Sequence, residues 1–104
     1  MDTHILDRLY AVIEERKSAD PEESWTARLL AEAPALPARK LGEEAAETII
    51  EAMRGDSAAL KREAADLIYH LMVVLAAAGV RPEDVWRELE QRENQSGLVE
   101  KASR

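Results

Sequence analysis

Between residues 43 and 66 the chain carries seven acids, Glu43, Glu44, Glu47, Glu51, Asp56, Glu63 and Asp66, against three bases, Arg54, Lys61 and Arg62. The local net charge of −4 is more than half of the −7 carried by all 104 residues. Residues three and four apart share a helix face. Glu44 and Glu47 therefore form one pair, flanked by Glu43 and Glu51, and Glu63 and Asp66 form a second. Glu47 stands eight residues before Gly55 and Glu63 eight after it. If both segments are helical, each glutamate lies about 12 Å from the turn, and antiparallel helices lie ~8–10 Å apart. The two carboxylate pairs then converge. Converging carboxylates repel unless a cation neutralises them. A hard divalent ion such as Mg²⁺, or Mn²⁺, does so through oxygen ligands and recruits phosphates. A solvated glutamate face has the same spacing. Against it stand Ala45, Ala46, Ala64 and Ala65, small residues that let helices approach closely, and the apolar run one turn beyond Asp66. Acids turned into a bundle need a metal or a partner.

Other residues could serve the same chemistry. His70 lies four residues beyond Asp66 and seven beyond Glu63, on their face. It could orient a carboxylate, contact a substrate, ligate a metal, or be a half-buried histidine with an ordinary hydrogen bond. Lys40, four residues before Glu44, is a candidate phosphate contact or an ion-pair partner of Glu44. Trp25 could stack on a base or pack in the core. Arg16 and Lys17 are further substrate-binding candidates, and their charge also suits the C-terminal end of a first helix.

The elements that must position these residues are helices. Ile5, Leu6, Leu9, Val12 and Ile13 recur at helical spacing, with Asp2 or Thr3 as the cap and an end near Lys17. Ser24 caps a short second helix to Glu32. Pro37 opens a third, since its fixed φ suits a first helical position, and that helix runs to Arg54 and stops at Gly55. Asp56 caps a fourth, which ends near Ala78 before Gly79. Pro82 starts a fifth, Glu83 to about Gln91. Residues 1–93 form one domain, and the tail 94–104, with no clear period, is expected to be flexible. The fourth helix is apolar nearly all round from Leu67 to Ala78. Five short helices can hardly cover it, so the expected fold is an all-α bundle of four to five helices whose core is completed by dimerisation.

Composition narrows the classes. Ala and Leu supply 30 residues and Val, Ile and Thr 14, a balance that favours helix over strand. No Cys is present, which removes disulfides, thiolate metal sites and thiol nucleophiles and fits a reducing compartment. The first twenty residues carry charges throughout, so no signal peptide is expected. The longest apolar stretch, Leu71–Val80, has ten residues, too few to span a membrane. An acidic total argues against nucleic acid as a partner.

Glu43-Glu44-Ala45-Ala46-Glu47 followed by Glu63-Ala64-Ala65-Asp66 resembles the EExxE…ExxD signature of the all-α, MazG-like nucleotide pyrophosphohydrolases. The wider segments Ser24–Leu30, Lys40–Glu47, Glu63–Leu71 and Asp84–Leu89 are similar to the phosphoribosyl-ATP pyrophosphohydrolases, over roughly residues 5–92. The resemblance implies an enzyme that hydrolyses phosphoribosyl-ATP to phosphoribosyl-AMP and pyrophosphate, the second step of histidine biosynthesis. It implies Mg²⁺ dependence, a cytoplasmic homodimer, and Glu44, Glu47, Glu63 and Asp66 as metal ligands. Glu43 is the remaining signature acid, either behind the ligands or as a base for water. Thr26 joins Trp25, Lys40, Arg16, Lys17 and His70 as the substrate-binding set. Many relatives carry Tyr where this chain has Trp25. Two rivals stay open, a sibling enzyme acting on other nucleoside triphosphates and a non-enzymatic helical adaptor.

Overall fold

Local chemistry at two glycines and one aspartate lays out the longest feature of the fold. Gly55 takes φ 75°, a left-handed conformation open to glycine at little cost, and its N–H donates to the carbonyls of Glu51 and Ala52 at 3.2 and 3.3 Å. Asp56 then accepts from the Ala59 N–H at 3.0 Å and starts the next helix. The chain reverses within two residues. Gly79, at φ 74°, closes that helix in the same way, with the Val80 N–H reaching the Leu75 carbonyl at 2.9 Å.

The computed structural model describes residues 4–93. Its helices are α1 (Ile5–Glu15), α2 (Trp25–Ala31), α3 (Ala35–Arg54), α4 (Ser57–Ala78) and α5 (Pro82–Arg92), with one 3₁₀ turn at Arg16–Ser18 and no strand among the described residues. The all-α expectation holds, and the hairpin of α3 and α4 is its dominant contact. No single helix among the described residues is long and apolar enough to cross a membrane. The expected flexible tail lies outside the described residues.

Three boundaries differ from expectation. The cap of α1 is His4, whose Nδ1 accepts from the Leu6 N–H at 3.1 Å; Asp2 and Thr3 lie outside the described residues. The last turn before Ser18 tightens to 3₁₀, so α1 ends at Glu15 rather than near Lys17. Helix α3 begins at Ala35, two residues before Pro37. The first four N–H groups of a helix have no intrahelical partner, so proline in its first turn sacrifices no bond. Ser24 caps α2 as expected, accepting from the Ala27 N–H at 3.1 Å.

Ile13, Leu29, Met72, Val73 and Ala76 form the buried core, joined by Leu9, Tyr10, Leu30, Leu36, Tyr69, Leu75 and Trp86. The Tyr10 hydroxyl donates to the Val80 carbonyl at 3.0 Å, tying α1 to the end of α4. The three residues that α4 gives to this cluster lie in its C-terminal third, and Ala59 alone is buried near its start. Towards the hairpin tip apolar side chains stay in the open: Ile49 is 63% and Met53 84% exposed, beside Ile50. Ile68 and Leu71 on α4 are also exposed. The radius of gyration, 15.7 Å, exceeds the roughly 13 Å of a compact chain this long.

Candidate active site

The symmetry of the hairpin about Gly55 stacks its side chains in layers. Glu47 and Glu63 are each eight residues from Gly55, Glu44 and Asp66 each eleven, Lys40 and His70 each fifteen. Antiparallel helices place residues equidistant from the turn at one height. The structure brings the middle layers together: Glu44, Glu63 and Asp66 each offer a carboxylate oxygen within 4.8 Å of the others. Glu47 is not among these three converging oxygens, but it lies near enough to Glu63 to raise that carboxyl.

Electrostatics record the crowding. The Glu63 carboxyl is pushed up to about 7, first by the hydrogen bond to Glu47, then by burial and by the charges of Glu47, Glu44 and Asp66. Glu44 is also raised, chiefly by burial, then by the hydrogen bond to Glu47 and the charges of Glu47 and Asp66. One Oε2 on each of Glu44 and Glu63 is buried without a hydrogen-bond donor. Protein oxygens alone, close together and short of donors, suit a hard divalent cation. The residues present therefore fit Mg²⁺.

The remaining candidates sort themselves by contact. Glu43 is not among the converging oxygens. Its carboxylate takes Lys40 at 3.2 Å and Arg39 at 3.9 Å. Lys40 thus pairs with Glu43, three residues on, and not with Glu44 as its spacing also allowed. Its Nζ stands 5.8 Å from the centroid of the Trp25 ring, within cation–π range. Trp25 is 47% exposed, so it lies outside the core. Next to it, the Thr26 and Tyr69 hydroxyls hydrogen-bond at 2.5 Å, which fixes α2 to α4 one turn beyond Asp66. Trp25 and Thr26 therefore touch both helices of the hairpin beside the acids. Tyr69 was missed as a site-building residue; its place three residues after Asp66 was the available signal. Lys17 pairs with Glu14 at 3.0 Å. Arg16 lines a surface hollow of about 340 Å³ with Ala19, Asp20, Glu23 and Ser24, which includes none of the acids of the cluster. Glu51 sits a turn nearer the tip, its Oε1 buried 3.7 Å from Arg54 Nη1. His70 is buried, with Nδ1 2.8 Å from the Asp66 carbonyl oxygen.

Comparison with known proteins gives one consistent result. The family model described as Phosphoribosyl-ATP pyrophosphohydrolase matches residues 6–93. A protein of Azospirillum brasilense named Phosphoribosyl-ATP pyrophosphatase is 57% identical over 100 residues, covering 96% of this chain and 90% of that protein. Proteins of the same name from Cereibacter sphaeroides (strain ATCC 17025 / ATH 2.4.3) and Methylobacterium nodulans are 58% identical over 100 residues and 53% over 104, and 97% of each is covered.

Proposed function

The chain belongs to the phosphoribosyl-ATP pyrophosphohydrolase family, and from that premise we propose how its residues serve the reaction. It is an enzyme of histidine biosynthesis that hydrolyses phosphoribosyl-ATP. The products are phosphoribosyl-AMP and pyrophosphate. The observation that carries the site assignment is the convergence of Glu44, Glu63 and Asp66, with Glu47 on Glu63, at two adjacent layers of the hairpin.

Glu44, Glu47, Glu63 and Asp66 would hold Mg²⁺, with Mn²⁺ as an alternative. Bound there, the ion would supply the positive charge that cleavage between the α and β phosphorus needs on the phosphoryl oxygens. The chain's own side chains do the rest. Lys40 offers a cation to the phosphates one turn from Glu44, and Glu43 holds it in place. The exposed face of Trp25 offers a stacking surface to the base, steadied through Thr26 and Tyr69. No covalent nucleophile is required. Arg16 and Lys17 are assigned to the outer end of the substrate, beyond the acids, where Lys17 pairs with Glu14 and Arg16 lines a hollow of its own.

We assign a homodimer through the exposed apolar side chains of the hairpin, Ile49, Ile50 and Met53 on α3 and Ile68 and Leu71 on α4. Leaving several such side chains in water is costly at ~1.5–3 kcal/mol each. Sedimentation at micromolar concentration should show a species of about twice 11.6 kDa, and a sole species at 11.6 kDa would remove this part of the assignment. The cytoplasm is the assigned setting, which the lack of Cys and the biosynthetic role support. The deciding assay is pyrophosphate release from phosphoribosyl-ATP with Mg²⁺ and with EDTA, beside a panel of ordinary nucleoside triphosphates. Turnover of phosphoribosyl-ATP with Mg²⁺ alone supports the reading. Preference for another triphosphate, or turnover in EDTA, overturns it.

A further inference from the structure

His70 is only 7% exposed, and its two ring nitrogens have different fates. Nδ1 lies 2.8 Å from the Asp66 carbonyl oxygen. A carbonyl can only accept, so Nδ1 donates, and in the neutral ring Nε2 is left with a lone pair. That Nε2 is buried and has no hydrogen-bond partner. The other histidine provides the contrast. His4 Nδ1 accepts from the Leu6 N–H, so its lone pair sits on Nδ1 and its proton on Nε2. Two histidines in one chain hold opposite tautomers, and the buried one keeps an acceptor with nothing to accept.

The place of this acceptor gives it meaning. His70 shares the helix face of Glu63 and Asp66, seven and four residues back, and stands level with Lys40. A buried polar atom without a partner in the native fold marks an occupant from outside the chain or a functional role. A phosphate monoester, with a second pKa of about 6, is mostly deprotonated at neutral pH and is a poor donor. Mg²⁺ takes oxygen ligands in preference to imidazole. An O–H group satisfies the lone pair. We propose that His70 Nε2 is a fixed hydrogen-bond acceptor for an O–H donor of the catalytic assembly, either a water in the hydration shell of Mg²⁺ or a hydroxyl of the substrate's ribose rings. The Asp66 carbonyl then acts as the anchor that fixes which nitrogen accepts. This rests on the site assignment above and specifies which part of the assembly His70 reads.

Nitrogen-15 NMR of the wild-type protein tests it, since only His4 and His70 contribute signals. The expected result is a protonated Nδ1 and an unprotonated Nε2 in His70, and a change in the Nε2 shift on adding a ligand. A change with Mg²⁺ alone identifies bound water as the donor. A change only with phosphoribosyl-AMP identifies the ribose. A proton on Nε2, or an Nε2 signal that neither ligand moves, overturns the proposal. Two variants separate anchor from acceptor. H70N keeps an amide near the Nδ1 position and has no atom at Nε2, whereas H70Q places an amide oxygen near Nε2. H70N should raise the KM for phosphoribosyl-ATP, or the Mg²⁺ concentration for half-maximal rate, about fivefold, the weight of one hydrogen bond, and H70Q should restore most of it. Equal values in H70N and wild type, with Mg²⁺-dependent turnover intact, would reject the His70 role alone. Loss of that turnover in wild type would instead reject the site assignment.

Discussion

The two halves of α4 do opposite work on one continuous helix. Its C-terminal half buries Met72, Val73 and Ala76 against α1 and α2, with His70 also buried. Its N-terminal half carries Glu63 and Asp66 towards α3, where like charges and burial raise Glu63 and Glu44. One half gains stability from apolar burial, and the other holds carboxylates where the chain alone would rather not have them. A rigid 22-residue helix links the two. The core end fixes the axis, so the acids stay converged despite their repulsion. Separating the halves by mutation tests this division.

The largest effect is expected at the acids. Glu47→Gln and Asp66→Asn keep size and remove charge, so each should cut Mg²⁺-dependent turnover about a thousandfold, the weight of several kcal/mol of charge stabilisation. The helical circular dichroism should not change. Turnover near wild type in either variant would break the assignment of that half to chemistry. In the core half, Met72→Ala should cost about 2–5 kcal/mol in urea unfolding and leave the turnover of the folded fraction nearly intact.

The acid half should also carry a stability signature of its own. Glu63 is raised from 4.5 to about 7, and Glu44 is raised too. The folded chain then binds more protons than the unfolded chain within that window. Metal-free stability should therefore be greatest below about 4.5 from these groups, fall as pH rises, and have lost their contribution above about 7. Melting in EDTA between pH 5 and 8 measures it. Glu47→Gln should flatten the dependence and melt higher than wild type at neutral pH, and an unchanged slope would contradict the repulsion. The smallest effect is at the tip. Asp56→Ala removes the cap of α4 and should cost about 1 kcal/mol, with no change in the pH slope.

Much of this was legible in the sequence because it is local. Ser24, Gly55, Asp56 and Gly79 end or begin helices through bonds to residues within five positions. The convergence of the acids followed from counting residues on either side of Gly55, once the two-residue turn there is read as setting α3 and α4 antiparallel; the similarly short link from α4 to α5 bends the chain by 109° instead. What needed the fold was the choice between partners three and four residues away, both within reach on a helix. Lys40 could reach Glu43 or Glu44 along α3, and it takes Glu43 beside the Trp25 ring brought in by α2. Neighbouring residues on a helix point about 100° apart, so Glu43 and Glu44 face different surroundings despite their common motif. Trp25 remained ambiguous for the same reason: stacking surface and core filler look alike until the Thr26–Tyr69 bond places α2.

The most direct test of the central claim, that the paired layers of α3 and α4 form a cation site, is the shift in melting temperature caused by Mg²⁺ at neutral pH in wild type and Asp66→Asn. Binding to the folded state alone should stabilise wild type by about 2.7 kcal/mol at one hundred times the dissociation constant. Asp66→Asn should melt at or above wild type in EDTA and respond weakly or not at all to Mg²⁺. Equal Mg²⁺ shifts in the two proteins would contradict the account.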